Sequence, residues 1–195
     1  MKPIAAAFII SFFVIPLLLG QTKPVVLVAY YSEKGHTAAM ANAVAEGAGL
    51  ESDVTVLLKT VTEATAEDII SADAIIVGSP VFNAAVAPPV QHFINSWPFK
   101  NAQLQDKIGA SFTTGGGMSA GEELVQLSIL HSMLIFGMIV TGGPEWTSPF
   151  GASAITAEPP FDSQNETIRP EFMQKGKMLG RRIAVLAKRM RQAKR

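Results

Sequence analysis

From residue 24 onward, short apolar runs of strand length alternate with longer segments of helical periodicity. The runs predict strands over residues 25–31, 53–58, 74–77, 107–113 and 138–141. Helices are predicted over residues 37–48, 88–95 and 122–136, with a short capped helix at Thr65-x-x-Asp68 and a long final helix. The first and third runs are apolar throughout, as in central parallel strands, whose two faces are both buried. The alternation predicts one α/β domain over residues 24–192, with a doubly wound, five-stranded parallel sheet between two helical layers.

The first twenty residues differ in composition from the rest. Lys2 is followed by an uncharged run, through Gln21, that is rich in Ala, Ile, Phe, Val and Leu. A basic start, an apolar stretch and a small residue at its end are typical of a secretory signal, here cleaved after Gly20. The run also approaches the roughly 18 residues that an uncleaved membrane anchor needs. Residues 1–20 are therefore predicted to be a signal peptide or, less favoured, an anchor that places residues 4–20 in a membrane. Either alternative predicts an exported or membrane-anchored protein.

Composition excludes several kinds of chemistry. Basic and acidic residues balance at 16 each, so no overall field attracts nucleic acid, and no nucleic-acid partner is expected. The chain has no cysteine, which excludes disulfides, thiolate nucleophiles and cysteine-ligated metals. Its three histidines lack ligand spacing, so no metal site is expected. Five basic residues lie close to the C-terminus: Lys188, Arg189, Arg191, Lys194 and Arg195. We favour the interpretation that they complement the helix dipole and extend into solvent, over the alternative of a basic binding patch.

Three segments of unusual composition follow the first, third and fourth predicted strands, so they converge at one edge of the sheet. The first comprises Ser32, Glu33, Lys34, Gly35, His36 and Thr37. Two hydroxyls, a glycine turn and the free amides of a helix N-terminus form a cradle for a dianionic phosphate. The segment lacks the P-loop and GxGxxG patterns, which favours a monophosphate. His36 donates to the phosphate or simply begins the helix, and Lys34 contributes to binding or is a solvated loop charge.

The other two segments suit a flat ligand. After the third strand, an uncharged stretch that contains Pro80, Val81, Phe82 and Asn83 can lie along an apolar ring system, although a plain turn fits equally well. After the fourth strand come Thr113, Thr114, Gly115, Gly116 and Gly117. The glycines allow close backbone approach to a ligand, and a flexible linker is the alternative. No side chain is nominated as catalytic.

Four sequence runs carry a specific resemblance. YYSEKGHT, DAIIVGSP, TTGGG and SPFGASAIT resemble the WrbA-type NAD(P)H:quinone oxidoreductases of the flavodoxin superfamily, over residues 25–157. The resemblance implies a flavodoxin-like sheet with strand order 2-1-3-4-5, FMN as cofactor, NAD(P)H as electron donor and a quinone or similar acceptor. It also implies a homo-oligomer, either a dimer or a tetramer.

The resemblance further implies roles for individual residues. Residues 32–37 would hold the phosphate, Val81, Phe82 and Asn83 would face the ring, and residues 114–117 would contact ring and ribityl chain. Phe99 falls where the family has a tryptophan over the flavin, and is assigned to the substrate site. The chain departs from the family at residues 82–85, where a cation is lost, and at Ile135 and Phe136, where the family has two histidines. FMN binding tolerates these changes better than nicotinamide and quinone specificity do.

Function divides into three hypotheses. The leading one is an FMN-dependent oxidoreductase in which flavin carries the redox chemistry and the protein supplies orientation. Nicotinamide cofactors are scarce outside the cytoplasm, so export favours a second class, a flavodoxin-type electron carrier that a partner protein reduces. The third is an interaction domain that has kept the fold without FMN.

Overall fold

The computed structural model describes residues 23–162 and 167–193, so the predicted signal or anchor over residues 1–20 lies outside the described part. Within that part, seven strands form one sheet: β1 (Val25–Tyr30), β2 (Thr55–Thr60), β3 (Ala74–Phe82), β4 (Ala85–Val86), β5 (Ile108–Gly115), β6 (Ile139–Val140) and β7 (Ala152–Ile155). The main order is β2-β1-β3-β5-β6, and these neighbours are parallel. The expected flavodoxin-like order is confirmed, because β5 and β6 correspond to the fourth and fifth predicted strands.

Helices cover both faces of the sheet: α1 (His36–Gly49), α2 (Ala66–Ser71), α3 (Pro88–Asn95), α4 (Glu122–Ile135) and α5 (Pro170–Ala193). Side chains of β1 alternate between two cores. Val26 and Val28 pack with α1 and α5, whereas Leu27 and Ala29 pack with α2, α3 and α4. This alternation explains why the strand is apolar at every position, since each face of the sheet has its own buried layer.

The contact between α1 and α5 is close enough to require glycine. A Cβ added at Gly180 would overlap the carbonyl oxygen of Val44, and one added at Gly47 would overlap the carbonyl oxygen of Lys177. The two backbones therefore touch in the second half of α1, which fixes how this helix packs against α5.

The predicted fifth strand is found as the short β6, and a further strand, β7, lies beside it along β5. β6 pairs with the start of β5, at Ile108 and Gly109, and β7 pairs with its end, from Phe112 to Gly115. Residues 141–151 leave the sheet edge between them. No strand is predicted after residue 141, so β7 is an element that sequence reasoning missed. The sequence of β7 is mostly small residues, and its pairing with β5 defines it as a strand.

The third strand is longer than predicted. Gly78, Ser79 and Pro80 continue the parallel pairing with β5 instead of forming a turn. The chain then reverses at residues 83–84, and β4 pairs antiparallel with Val81 and Phe82. The segment expected as an open loop is thus a β-hairpin over residues 80–86, here called the hairpin. These residues form paired strands instead of an open loop because β3 continues past Gly78 to Phe82.

Candidate functional site

The start of α1 presents unpaired backbone amides at the carboxyl ends of the strands, the edge called here the carboxyl-end rim. Gly35 precedes the helix with φ 85° and ψ −27°, in the left-handed region that glycine adopts without strain. The first hydrogen bond of the helix runs from the Ala39 amide to the Gly35 carbonyl oxygen, over 2.9 Å. No side chain caps this terminus, and no acidic residue lies in its first turn. The amides of the first turn therefore remain available to an anion.

Two buried polar atoms beside this terminus lack a partner. Ser32 Oγ and His36 Nε2 are shielded from solvent and form no hydrogen bond within the described part of the chain. A buried polar group without a partner costs about 1–3 kcal/mol, so such atoms commonly mark a ligand. Residues 32–37 are called the anion cradle here. Their amides, hydroxyl and imidazole can together hold a phosphate.

Thr37 joins the anion cradle to the segment that follows β5. Its Oγ1 lies 2.7 Å from Oγ1 of Thr114, and its side chain is only 2% exposed. Thr113, next to it, has a buried Oγ1 with no partner among the described residues. Two of the three predicted segments are therefore in direct contact. Residues 113–117, called the glycine segment here, extend the polar surface away from the cradle.

The glycine segment is fixed by the chain that leaves β7. The Thr156 amide donates to the Gly115 carbonyl oxygen over 2.9 Å, and the Ala157 amide to that of Gly116 over 3.1 Å. Glu158 Oε2 then accepts from the Met118 amide over 2.7 Å. Sequence reasoning missed Glu158, since nothing in its local sequence indicates contact with a segment forty residues earlier. Only the β5–β7 pairing brings the carboxylate there.

The hairpin reaches the same rim. Its turn residues Asn83 and Ala84 both have positive φ, 49° and 60°, as in the tight turns that connect β-hairpins. A Cβ added at Gly121, before α4, would approach Ala84 Cα to 2.9 Å, so the hairpin tip touches the start of α4. Phe82 meets Tyr31 edge to face, with ring centroids 6.3 Å apart. The hairpin thus connects the residue before the anion cradle with the start of α4.

Fifteen of the sixteen predicted site residues lie along this rim, because each follows or ends β1, β3 or β5. Glu33, Lys34, Asn83 and Gly116 are exposed, and Pro80, Val81, Phe82 and Gly117 are half-buried. Ser32, Gly35 and His36 are intermediate in exposure, and Thr37, Thr113, Thr114 and Gly115 are buried. The structure groups them into one continuous surface.

Phe99 lies towards the opposite edge of the sheet, so a single chain does not bring it together with the other fifteen predicted residues. α3 begins at the carboxyl-end rim and runs roughly 12 Å towards the other rim over its eight residues. Phe99 follows it and packs against Phe136, with centroids 5.6 Å apart, at the end of α4. In a single chain, Phe99 therefore lies beyond the end of α3 that is farther from the anion cradle.

Comparison with known proteins identifies the family. The sequence pattern described as NADPH-dependent FMN reductase matches residues 22–153, which is more than half of the chain. The chain belongs to the NADPH-dependent FMN reductase family. Membership confirms, at the level of the family, the expected oxidoreductase class with FMN as cofactor and NAD(P)H as donor. The resemblance to quinone-reducing flavoproteins is confirmed by the relatives below.

Two relatives and one solved structure illustrate the range of this FMN reductase family. A flavodoxin from Aquifex aeolicus (strain VF5) is 34% identical and covers 82% of this chain and 84% of its own. An NAD(P)H dehydrogenase (quinone) from Afipia carboxidovorans is 31% identical and covers 85% of this chain and 98% of its own. The crystal structure of a WrbA-like flavodoxin protein from Agrobacterium tumefaciens shares the fold, with TM-score 0.69, 22% identity and coverage of 86% and 99%.

Two further properties of this FMN reductase family member concern charge. Glu122, at the start of α4, is 6% exposed, and its Oε1 has no partner within the described residues. A Cβ added at Gly115 would lie 2.6 Å from that oxygen, which places the carboxylate beneath the glycine segment. Among the described residues, no group of three or more His, Asp or Glu side chains is placed to hold a metal ion. The polar surface therefore relies on amides and hydroxyls, with a carboxylate behind them.

Proposed function

We propose that this chain binds FMN at the carboxyl-end rim and catalyses the two-electron reduction of quinones or similar acceptors by NAD(P)H. The observation that carries the proposal is the pair of buried, unpartnered atoms Ser32 Oγ and His36 Nε2 beside the uncapped start of α1. A phosphate in the anion cradle would give both atoms a partner. Family membership supplies the identity of the phosphate-bearing group.

Each part of the rim has a task in this proposal. The amides of residues 33–37 and the side chains of Ser32, His36 and Thr37 would bind the phosphate, and exposed Lys34 would add positive charge. The glycine segment would lie along the ribityl chain and ring because it places little between backbone and ligand. The hairpin, through Val81, Phe82 and Asn83, would exclude water from the ring and leave its amides for ring oxygens and nitrogens.

Flavin, when bound, supplies the hydride chemistry, and the protein orients it. No described residue is required as a general acid or base. The loss of the cation at residues 82–85 leaves donor and acceptor selection at the carboxyl-end rim to shape and apolar contact. We therefore expect broad acceptance of quinones with a modest preference between NADH and NADPH.

An anaerobic titration tests the proposal. The purified full-length chain is loaded with FMN, and its absorbance in the flavin bands is followed as NADH or NADPH is added and a quinone then follows. Bleaching by stoichiometric nicotinamide and full recovery with quinone are the expected results. Retention of flavin without bleaching would reject the enzyme and keep the cofactor, whereas a chain that binds no FMN would reject both.

A second function is favoured by one specific comparison. The flavodoxin of Aquifex aeolicus covers most of this chain at 34% identity, which supports a flavodoxin-type electron carrier reduced by a partner protein. In that case dithionite would reduce the bound flavin in two separate one-electron stages, and NAD(P)H would not bleach it. The same titration, repeated with dithionite, therefore distinguishes the carrier from the enzyme.

We also propose that the protein is exported or membrane-anchored through residues 1–20. The support is the sequence of that segment, with Lys2 followed by an uncharged apolar run. In the part of the chain that the structure describes, no helix has the length and apolar character needed to cross a bilayer. Fractionation of cells that express the full chain, with N-terminal sequencing of the product, tests both export and cleavage after Gly20.

A homo-oligomer, dimer or tetramer, is the remaining part of the proposal. Phe99 and Ile135 are 68% and 70% exposed and lie side by side near Phe136, which gives an apolar surface that a second copy could cover. Light scattering on the purified chain measures the assembly. A monomer at concentrations well above those of the assay would reject it, without affecting the FMN proposal.

A further inference from the structure

Charge is strongly segregated along this neutral chain. Residues 170–195 contain nine of its sixteen Lys and Arg residues but only one of its sixteen acidic residues, Glu171. The rest of the chain carries the matching excess of negative charge. α5 spans most of this basic segment, and its inward face supplies apolar residues to the core. Within α5, Lys177, Arg181, Lys188 and Arg191 form ion pairs with acidic residues outside the helix, whereas Arg182 and Arg189 form none with a described residue.

The basic end of α5 meets the point where the described chain begins. A single carboxylate oxygen, Oδ2 of Asp73, accepts from the Val25 amide over 2.9 Å and from Arg191 Nη1 over 2.5 Å. Lys23 Nζ donates to the Ser52 carbonyl oxygen nearby, over 3.2 Å. These contacts lie at the amino ends of the strands, here called the amino-end rim. The anion cradle is at the other end of the same strands.

The chain that precedes Lys23 is the apolar run. Residues 3–22 contain no charged side chain, and they connect directly to the amino-end rim. The uncharged apolar run and the basic end of α5 are thus joined to the same edge of the domain. The positive charge of that helix end, its position beside Val25 and the length of the uncharged run all indicate an anionic lipid surface as the partner.

The outer face of α5 also carries a cavity with mixed lining. It has a volume of about 560 Å³, with Met178, Val185 and Leu186 supplying apolar surface and Arg181, Arg182 and Arg189 supplying charge. Arg182 donates from Nη1 to the Gly143 carbonyl oxygen over 3.3 Å, but its buried Nε has no partner among the described residues. Arg189 forms no ion pair with any described residue. We call this cavity the arginine groove.

We propose that, in the chain that retains residues 1–20 as an anchor, the arginine groove and the amino-end rim rest on an anionic lipid bilayer, with residues 3–22 as the tether. Guanidinium groups match phosphate oxygens in a bidentate geometry, and the buried Arg182 Nε would gain such a partner. The apolar residues of the groove suit the glycerol and upper acyl region beneath the headgroups. Docking in this way turns the carboxyl-end rim away from the membrane, so the anion cradle stays open to soluble ligands.

Vesicle binding by the full-length chain tests the surface separately from the tether. The tether should give binding to phosphatidylcholine vesicles, and phosphatidylglycerol should strengthen binding through the arginine groove. The Arg182→Gln/Arg189→Gln double variant should lose roughly tenfold or more of the phosphatidylglycerol-dependent increment, and added salt should remove it. The Lys34→Gln/Lys175→Gln double variant removes the same charge near the other rim and should retain the increment. Equal losses in both variants, or no increment in the native chain, would overturn the proposal.

Site-specific labelling supplies a second measurement. Because the chain has no cysteine, Gln192→Cys and Glu33→Cys each create a single site for an environment-sensitive fluorophore. The label at residue 192 should shift to the blue on phosphatidylglycerol vesicles, and the label at residue 33 should not. Equal shifts at both positions, or a shift at residue 33 alone, would reject the orientation. Neither readout depends on FMN, so failure here leaves the proposed redox function untouched.

Discussion

Two helices of this protein begin in opposite ways. α2 starts with a capping box, in which the Asp68 amide donates to Thr65 Oγ1 over 3.2 Å and the Thr65 amide donates to Asp68 Oδ2 over 2.8 Å. Lys59 Nζ lies 2.7 Å from the same carboxylate oxygen. α1 starts at Gly35 with no side-chain cap and no acidic residue in its first turn. One terminus is satisfied by the chain itself, and the other is left open.

The difference indicates what each terminus is for. Capping stabilises a protein by about 1 kcal/mol, so a terminus without it gives up stability. At α1 the loss is larger, because Ser32 Oγ and His36 Nε2 are also buried without partners. A bound anion would supply the missing hydrogen-bond partners. The stability regained in this way is the physical origin of the proposed affinity for FMN. Four predictions test this comparison, from the largest expected effect to the smallest.

Gly35→Val should abolish flavin retention. Valine at φ 85° is strained, and its side chain would push the residues of the anion cradle out of position. We expect the Kd for FMN to rise by about 100-fold or more, which corresponds to about 3 kcal/mol. Quenching of flavin fluorescence measures the Kd, and far-ultraviolet circular dichroism checks that the helices remain.

Gly49→Ala is the matched control at the other end of α1. A Cβ there meets nothing within 4 Å, so the substitution should leave FMN affinity unchanged. Unchanged flavin content in Gly35→Val would refute the phosphate assignment. Loss of flavin in both variants would instead indicate a general effect on α1.

Ser32→Ala should separate binding from stability. The hydroxyl would donate to a charged phosphate, a hydrogen bond that contributes about 1.5–3 kcal/mol, so the Kd should rise by roughly tenfold or more. Without FMN, removal of a buried hydroxyl that has no partner should leave the melting temperature unchanged or raise it slightly. A variant that loses stability and keeps its affinity would show that Ser32 has a structural role instead.

The sequence predicts most of the fold because its strongest signals are local. The prolines at the start of α3 fix its first turn, and both bounds of that helix are confirmed. Thr65 and Asp68 predict a capping box, which is also confirmed. β7 was missed because its Ala-Ser-Ala-Ile sequence has little strand preference of its own, and contact with β5 defines it.

The site is less predictable than the fold for a physical reason. The anion cradle is a contiguous segment, so its sequence displays it, whereas Glu158 reaches the glycine segment only through the β5–β7 pairing. A single chain does not bring Phe99 to the anion cradle, and the sequence carried a signal of this. Phe99 follows a predicted helix that starts at the carboxyl-end rim, and the length of that helix carries it to the other rim. Family alignment gave a position in the sequence, not a position in space.

Asp68→Asn should lower the stability of the folded protein and leave its affinity for FMN unchanged. The Lys59 ammonium, aided by the Thr65 amide, lowers the pKa of Asp68 from 3.8 to about 2. A carboxyl whose pKa is lowered on folding stabilises the protein above its unfolded pKa. That contribution, about 1 kcal/mol after solvent screening, should be present above about pH 4 and lost as the pH falls towards 2.

Urea unfolding at pH 6 and at pH 2 measures the contribution of Asp68. The difference in unfolding free energy between native chain and variant should shrink at the lower pH. Glu67→Gln, in the same helical turn but outside the capping box, should change stability by less, about 0.3–0.5 kcal/mol. A pH-independent difference for Asp68→Asn would show that shape and not charge accounts for the cap.

Ala38→Glu should give α1 an acidic residue in its first turn, which α2 already has. A carboxylate at the third position of the helix interacts favourably with the N-terminal dipole, which should stabilise the protein without FMN by about 0.3–1 kcal/mol. The same charge would compete with phosphate for the open amides, so FMN affinity should fall by several-fold, and added salt should reduce the loss. Thermal unfolding and flavin titration measure the two effects.

Asn42→Glu, one turn further along the exposed face, is the control and should change neither stability nor FMN affinity by more than a small fraction. If Ala38→Glu raised stability with no loss of affinity, the open amides of α1 would not be the place where the anion binds, and the contrast between the two helix termini would have no functional meaning.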